Sequence, residues 1–566
     1  MAGPRGLPRS AWYGGALLCG ALPVLAFPAP NWSWLAWFGL VPGLLLMRSA
    51  SSAWRGALTG WWFGAGYLLA ALYWLIPNLG PGLLPIVAIL GVLWGGAGAA
   101  CQVLLRAPLR FWGAAAAMVV VPACWVTSEW LRSWQGFGGP WAVFGATQWQ
   151  HPVVLSLAAV GGVWLVTAAL VLANTGLTVA VLGVAERRWA AGLAGLGGVA
   201  LAVVAGPLAF ALLAAPGVAR TLTIALVQPG ITRPAARDTA SQRLTEGLGR
   251  SQDRPGLIAW GESSIASDLR ADPPLLGQLE RLSAAKGAQL LVNQDTIVPG
   301  QGKSKVAVLV GPGGIAGTYT KTRLVPFGEY IPFRSQLGWL TRISRAAPQN
   351  MTPGSGAKVL TASVPGGPLR LGVLICFESA FPDMARANVQ RGAQLIVYQT
   401  SDSTFQASWQ LAQHASLAAV RAAETGRPAV QAALTGDSAA FDARGRLLAW
   451  ASGGFRGVLT VRLELPPAGY RTPFDRYGPY IPWICVIIVG ITGLLAAGQA
   501  GRRGRGRRAT GSSRPAAADT VKAQPPASTG RLSSRGSRKS GSGCREAVKC
   551  GTSASHPGGE AQRAPR

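Results

Sequence analysis

The sequence predicts a membrane α-helical bundle of about eight transmembrane helices, joined to an α/β sandwich domain outside the cytoplasm. Three observations predict this fold class. Of the 566 residues, 49% are hydrophobic and only 13% are charged, which is too apolar for a soluble protein of this length. Long apolar runs fill the first 215 residues, and one more lies near residue 490. Between them, short apolar runs alternate with helical stretches, as is typical of α/β domains.

The transmembrane helices are predicted from apolar runs with few charges, since about 20 such residues cross a bilayer as a helix. The predicted domains are 1–219 with seven spans, 220–470 as the α/β domain, 471–500 with the last span, and a tail at 501–566. The apolar runs are 12–28, 33–47, 56–76, 82–105, 111–131, 155–184, 189–215 and 480–499.

The orientation follows from the basic residues of the short loops, because Lys and Arg concentrate on the cytoplasmic side. With the N-terminus inside, the outer short loops receive only Arg132. We therefore expect residues 216–479 outside and the tail inside. No convincing cleavage site precedes Asn31, so the first run is interpreted as a retained span. The basic residues placed inside are Arg5, Arg9, Arg48, Arg55, Arg106, Arg110, Arg187 and Arg188.

The tail at 501–566 is basic and rich in Gly, Ser, Pro and Ala, a composition that cannot bury a core. We expect a disordered cytoplasmic segment that contacts anionic lipid rather than nucleic acid. Cys544 and Cys550 lie six residues apart with no second pair nearby, so a zinc site is not expected there.

The α/β domain is predicted from eight apolar runs separated by turn residues, with helices at 275–286, 382–391 and 409–425. About 250 residues suffice for one such domain with a sizeable core. The predicted strands are 221–228, 257–260, 289–293, 306–310, 369–375, 394–399, 429–434 and 458–463.

Three ionisable residues of this domain form a candidate catalytic set. Cys376 is the only cysteine between the seventh and last spans, and it follows a buried strand where backbone N–H groups at a helix start would stabilise a thiolate. Glu262 offers a carboxylate to take its proton, and Lys321 offers an ammonium group to neutralise an oxyanion. The alternatives are an unreactive buried cysteine and salt-bridged Glu and Lys side chains.

A Cys–His pair is the other arrangement to weigh, because His414 is the only histidine of the domain. Its surroundings predict a mid-helix position, which favours packing or hydrogen bonding over catalysis. Metal catalysis is not expected, since the domain has no second histidine and no close carboxylate cluster.

The order of these motifs resembles the nitrilase superfamily: a Glu, then Tyr-x-Lys-x-x-Leu-Val-Pro-Phe-Gly-Glu at 319–329, then Cys-Phe-Glu at 376–378. With eight spans, the chain is similar to bacterial apolipoprotein N-acyltransferases up to about residue 500. The resemblance implies a nitrilase-like domain with Glu262 as base, Lys321 as transition-state stabiliser and Cys376 as nucleophile, supported by Glu329 and Glu378. It further suggests substrate-binding roles for Trp260, Phe377, Asp402, Phe405 and Trp339.

Two departures from the family pattern stand out. Gly261 replaces a proline before the catalytic Glu, and residues 401–405 differ from the usual Asn-Asp-x-Trp-Phe. The first affects loop stiffness. The second leaves open which residues shape the substrate pocket.

The resemblance implies a multi-pass enzyme of the bacterial inner membrane with its catalytic domain on the periplasmic side. It would take an acyl chain from a phospholipid as a Cys376 thioester and pass it to the α-amino group of a diacylglyceryl-cysteine in a lipoprotein, without metal or cofactor. The alternatives are a membrane-tethered amidase or nitrile hydrolase, and a non-catalytic lipoprotein-binding relative. The segment 332–345, with Trp339, is either a membrane-touching lid or a buried amphipathic helix.

Overall fold

The computed structural model describes residues 8–231, 233–249, 254–298, 302–342, 347–405 and 408–511. Residues Met1–Ala500 form one compact unit, which holds both the apolar helices and the α/β domain. Beyond it, the last helix continues to Gly511. The predictions for the rest of the tail, including Cys544 and Cys550, lie outside the described residues.

Ten of the seventeen α-helices in the described residues lie in the N-terminal part, where apolar runs are broken by Pro, Gly and short 3₁₀ turns. The other seven lie in the α/β domain and after it. Their bounds are α1 Arg9–Ala21, α2 Val41–Arg48, α3 Ala53–Ala71, α4 Ile76–Leu79, α5 Leu83–Gly91, α6 Gly95–Leu104, α7 Phe111–Arg132, α8 Pro152–Gly161, α9 Val163–Ala185, α10 Trp189–Leu212, α11 Pro234–Glu246, α12 Pro273–Lys286, α13 Arg334–Leu337, α14 Pro382–Gln390, α15 Gln410–Thr425, α16 Pro473–Tyr477 and α17 Tyr480–Gly511.

Five helical segments in the described part of the chain are long and apolar enough to cross a membrane. The predicted runs 12–28, 33–47 and 56–76 fall on other helices, so the count of eight spans stays a prediction. The run 155–184 is divided into α8 and α9 at Gly162, whose φ of 73° ends the first helix. The five segments are Tyr73–Leu104, Phe111–Arg132, Val163–Ala185, Trp189–Leu212 and Tyr480–Gln499.

Small residues let α3 and α6 approach closely. A Cβ atom at Gly98 of α6 would collide with the carbonyl oxygen of Gly56, and one at Gly60 would lie 2.5 Å from the carbonyl oxygen of Trp94. Only glycine fits at these positions without separating the helices, a common way of packing helices within a bilayer.

Twelve strands form two six-stranded sheets within the described residues. The first has the order β12-β1-β2-β3-β4-β5 and the second β11-β10-β9-β8-β7-β6. The inner strands β1, β2 and β3, and likewise β7, β8 and β9, run parallel. The bounds are β1 Arg220–Gln228, β2 Leu257–Trp260, β3 Gln289–Val298, β4 Gly302–Gly311, β5 Gly314–Thr320, β6 Val359–Val364, β7 Gly367–Ile375, β8 Leu395–Thr400, β9 Ala429–Ala433, β10 Ser438–Phe441, β11 Leu447–Ala451 and β12 Gly457–Leu465.

The core lies between the two sheets, and strand alternation decides which side chains enter it. Leu226 of β1 packs in the same apolar cluster as Val373 of β7 and Val397 of β8. Val227 and Trp260 face the other way, into a second cluster with Leu279 of α12. This two-layer arrangement brings the carboxyl ends of the parallel strands of both sheets to one region.

All eight predicted strands and the three predicted helices are present, with ends shifted by a few residues. The strands β5, β6, β10 and β11 and the helix α11 were not predicted. Strand β5 contains two glycines and two threonines, and β6 alternates between buried and exposed residues over only six positions. Such short or polar segments are specified by their neighbours in the sheet rather than by their own composition.

Candidate active site

Glu262 lies just beyond the end of β2, in a position fixed by the second sheet. Its backbone N–H donates to the carbonyl of Thr400 at 3.1 Å, and Thr400 ends β8. The carboxylate is buried. The end of one sheet therefore presents a buried acid to the end of the other.

Lys321 follows β5 and is completely buried. Its Nζ is 3.3 Å from Glu262 Oε1 and 2.7 Å from Glu329 Oε1. Burial lowers the pKa of this ammonium group, but the carboxylates of Glu262 and Glu329 outweigh it and hold the pKa well above its usual value. Lys321 is thus a permanent buried cation.

Cys376 comes directly after β7 and begins a 3₁₀ helix, Cys376–Ala380. Its φ of 50° is left-handed, a conformation that a non-glycine residue keeps only when its surroundings hold it. The buried Glu378 supplies part of that support. It accepts hydrogen bonds from the N–H of Ile375 at 2.8 Å, the N–H of Thr322 at 2.7 Å and the hydroxyl of Tyr319 at 2.8 Å. One carboxylate therefore joins the cysteine loop to the Lys321 loop.

The Cys376 thiol is partly buried, and its pKa is raised well above its usual value. Burial is the main cause, the carboxylate of Glu262 adds to it, and Lys321 opposes it. The expectation of a thiolate stabilised by the helix start is therefore wrong for this arrangement. The resting group is a thiol, which needs a base before it can attack.

Glu262 has the opposite shift. Burial raises its pKa, but the charges of Lys305 and Lys321 together outweigh burial and lower the pKa below its usual value, so the carboxyl remains ionised. A raised thiol pKa beside a lowered carboxyl pKa makes Cys376 the candidate proton donor and Glu262 the candidate base. The arrangement can move a proton from Cys376 to Glu262 once a substrate is present to be attacked.

Lys305 and Asp295 also belong to this charged group, and the sequence analysis missed them. Lys305 lies in β4 directly opposite Asp295 of β3, and its Nζ is 3.3 Å from the Asp295 carboxylate. Both residues belong to strand stretches that extend beyond the predicted ends. A period-two pattern places charged side chains on one face, but it does not reveal which residue of the next strand lies opposite.

His414 lies within α15, as predicted, yet it contacts the cysteine loop. Its Nε2 is 3.1 Å from the carbonyl oxygen of Cys376, and its Nδ1 is 2.9 Å from Asp402 Oδ1. Donor atoms of Cys376, Asp402 and His414 all lie within 4.8 Å of one another. Burial lowers the pKa of His414, but the carboxylate of Asp402 and these hydrogen bonds raise it above its usual value.

Comparison with known proteins gives a consistent result over most of the chain. Residues 19–176 match the family model of the apolipoprotein N-acyltransferase N-terminal domain, and residues 300–469 match that of carbon-nitrogen hydrolases. The apolipoprotein N-acyltransferase of Allorhizobium ampelinum is 32% identical over 80% of this chain and 89% of its own length. This chain belongs to the apolipoprotein N-acyltransferase family.

Further relatives agree. The apolipoprotein N-acyltransferase of Geobacter metallireducens is 29% identical, over 76% of this chain and 85% of its own. Among solved structures, the nitrilase-superfamily protein Nit3 of Saccharomyces cerevisiae is 18% identical, with a TM-score of 0.34, and the match covers 44% of this chain and 93% of Nit3.

The family resemblance suggested five substrate-binding residues, and the structure distributes them widely. Trp260 is fully buried in the cluster beside α12, and its Nε1–H donates to Thr245 Oγ1 at 3.1 Å. It does not face the site, because alternation along β2 points it away from the other sheet. Asp402 is buried against His414, so its contacts are those of a support for the cysteine loop.

Phe377 and Phe405 lie where the α/β domain meets the apolar helices. The ring of Phe377 stacks on Trp141 with centroids 6.3 Å apart, and Phe405 meets Trp74 edge-on at 5.0 Å. Gln135, between α7 and α8, donates to the carbonyl of Leu324 at 3.1 Å in the Lys321 loop. Residues next to Cys376 and Lys321 therefore contact the helical part of the chain.

Trp339 is 53% exposed in the 3₁₀ helix Gly338–Arg342, and the nearby Phe333 is 74% exposed. These exposures speak against a buried amphipathic helix. Residues 343–346, which include part of the predicted lid, lie outside the described residues.

Proposed function

We propose that this protein transfers an acyl chain from a glycerophospholipid to the N-terminal α-amino group of a diacylglyceryl-cysteine in lipoproteins. The observation that carries the proposal is the meeting of Glu262, Lys321 and Cys376 beside the apolar helices. Family membership supports the reaction class, and the contacts of Phe377 and Phe405 with the helices support a substrate that arrives from the membrane.

In the first half-reaction, Cys376 Sγ attacks the ester carbonyl of the phospholipid while its proton moves to Glu262. A carbon–sulfur bond forms, and the ammonium group of Lys321 neutralises the developing oxyanion. The ester carbon–oxygen bond then breaks. Glu262 returns the proton to the departing alkoxide, which leaves as a lysophospholipid and yields the Cys376 thioester.

In the second half-reaction, the lipoprotein amine attacks the thioester carbonyl. Glu262 accepts a proton from the amine, the carbon–sulfur bond breaks, and the proton passes to the thiolate of Cys376. The products are an amide on the lipoprotein and the original thiol. Proton and electron pair balance within the two half-reactions, so neither step calls on a metal or an organic cofactor.

The setting that we propose is the bacterial inner membrane, with eight spans, the catalytic domain on the periplasmic side and the tail in the cytoplasm. Its support is the loop asymmetry, in which basic residues concentrate on one side and Arg132 stands alone on the other. A reporter that requires export, fused after Ala215, should be active, whereas one fused after Ala500 should be inactive. The opposite pattern would reverse the orientation.

The test of function is the covalent intermediate. Purified protein incubated with phospholipid vesicles should carry an acyl mass on the Cys376 peptide, and a synthetic diacylglyceryl-cysteine peptide should remove that mass and acquire it. Cys376→Ala protein provides the control. If the acyl mass left Cys376 as fast without the amine as with it, water would be the acceptor and the protein would be a hydrolase instead.

A further inference from the structure

A second ammonium group, partly buried, lies beside the proposed base. Nζ of Lys305 is 3.4 Å from Glu262 Oε1, and Nζ of Lys321 is 3.3 Å from the same oxygen. Lys321 makes its shorter contact, 2.7 Å, with Glu329. The charge on Glu262 is therefore shared between two cations, and Lys321 is committed in part to another carboxylate.

Lys305 is positioned by the sheet rather than by a loop. It lies within β4, and its carbonyl accepts a hydrogen bond from the N–H of Lys321 at 2.9 Å. Its side chain is 13% exposed, and Asp295 lies directly opposite on β3. The strand pairing that carries Lys321 to the site thus carries Lys305 with it.

Lys305 also holds the loop that carries Glu262. Its ammonium group donates to Ser263 Oγ at 2.6 Å, and that hydroxyl donates to Asp295 Oδ1 at 3.0 Å. Ser263 has a φ of 54°, which a serine adopts only when its surroundings hold it. The residue directly after Glu262 is therefore kept in a strained conformation partly by Lys305.

We propose that Lys305 is a positioning residue for acyl transfer: its ammonium group keeps the Glu262 carboxylate ionised and in place beside Lys321, and Asp295 sets how strongly it does so. The two carboxylates compete for one cation, at 3.3 Å from Asp295 and 3.4 Å from Glu262. Loss of the Lys305 charge must disfavour ionised Glu262, and loss of the Asp295 charge must favour it.

The pKa shifts agree with this geometry. The pKa of Glu262 is lowered despite burial, by Lys305 and Lys321, while Asp295 raises it. Lys305 acts on Glu262 through its charge, and Lys321 acts through both its charge and a hydrogen bond. Other ionisable groups that act on this cluster include Glu329, Cys376, His414 and, through Asp295, Lys303.

The experiment measures modification of Cys376 against pH in the full-length purified protein. One readout is alkylation by iodoacetamide, followed on the Cys376 peptide by mass spectrometry, and the other is acylation by phospholipid vesicles. Lys305→Gln keeps an N–H donor for Ser263 but removes the charge. Both profiles should have an acid limb, the pH range over which the rate rises as Glu262 loses its proton. Lys305→Gln should move this limb to higher pH and slow both reactions about tenfold near neutral pH.

Lys303→Gln is the matched control, because Lys303 contacts the same Asp295 at 2.9 Å with a side chain that is 46% exposed. Its acid limb should stay close to that of the wild type. Asp295→Asn should move the limb in the opposite direction, to lower pH.

Coinciding profiles for Lys305→Gln and Lys303→Gln would overturn the inference, as would a shift of Asp295→Asn to higher pH. If Lys305→Gln does not fold, an unshifted limb in Asp295→Asn overturns it on its own. The inference rests on the proposed function only for the acylation readout. Alkylation profiles that shift as expected, in a protein that phospholipid does not acylate, would refute the proposed function and support the inference.

Discussion

Cys376 is surrounded by two unlike groups of residues, one from each sheet. Glu262, Lys305 and Lys321 come from the first sheet and meet as charged groups. His414 and Asp402 come from the second sheet and its helix, and His414 contacts the carbonyl oxygen of Cys376 at 3.1 Å. In the proposed mechanism the first group acts on the proton of the thiol, whereas the second contacts the backbone of Cys376.

Substitutions in the first group should change the chemistry of the reaction, whereas substitutions in the second should change the geometry of the cysteine loop. Removing a residue that exchanges or stabilises charge in the transition state lowers the rate by orders of magnitude. A residue that hydrogen-bonds to the backbone of the nucleophile contributes one hydrogen bond, about 1 kcal/mol. Variants on the two sides should therefore differ both in size of effect and in pH dependence.

The largest expected effect belongs to the nucleophile itself. Cys376→Ala and Cys376→Ser should abolish acyl transfer, because an alanine has no nucleophile and an alcohol is far harder to deprotonate beside Glu262. Both proteins should remain folded in the membrane, as judged by their yield and elution profile. Transfer at the wild-type rate in either variant would remove Cys376 from the mechanism.

Variants of the charged group around Glu262 and Lys321 should have the next largest effects. Glu262→Gln should lower the rate about 10²- to 10⁴-fold through loss of the base. Lys321→Met should lower it about 10²- to 10³-fold and also destabilise the protein by about 3–5 kcal/mol, because the buried Glu329 loses its cation and Glu262 keeps only Lys305. Single-turnover acylation and thermal unfolding measure the two effects.

His414→Ala should slow transfer only about tenfold, the equivalent of about 1.4 kcal/mol. The pKa of His414 is raised in the folded protein, so its charge stabilises the fold fully below its ordinary pKa of 6.5 and ceases to do so as pH rises through the folded value. The difference in unfolding temperature between wild type and variant should therefore be larger in acid. A variant as inactive as Cys376→Ala would instead make His414 the base.

The smallest effect is expected outside both groups. If the exposed Trp339 dips into the membrane interface, Trp339→Ser should slow acylation by phospholipid roughly threefold and leave alkylation by a soluble reagent unchanged. Leu448→Ser is the control, since Leu448 is 40% exposed on β11. Equal losses in both reactions would assign Trp339 a structural role.

Sequence reasoning located the strand ends well, because Glu262 and Cys376 each follow an uninterrupted apolar run, a pattern that marks a strand buried on both faces. It did not find Lys305, because the register that sets Asp295 opposite Lys305 is a property of two strands together. The family resemblance suggested a substrate-binding role for Trp260, but alternation along β2 turns its indole away from the site.

The division of one apolar run into α8 and α9 also escaped prediction, since Gly162 reads as one more small residue in a membrane span. Its φ of 73°, which separates the two helices, is a property of the folded backbone that the sequence does not display. The same limit applies to His414, whose helical position was correct but whose contact with Cys376 depends on how α15 packs.

The start of α9 has a consequence for biosynthesis. The first N–H of this helix, on Val163, donates at 2.8 Å to the carboxylate of Glu424, which lies 261 residues later in the chain. The amides at a helix start need an acceptor when they are buried. A ribosome must therefore complete most of the α/β domain before this helix acquires its cap. Chains truncated before Glu424 should leave the start of α9 without an acceptor and be more exposed to quality-control proteases.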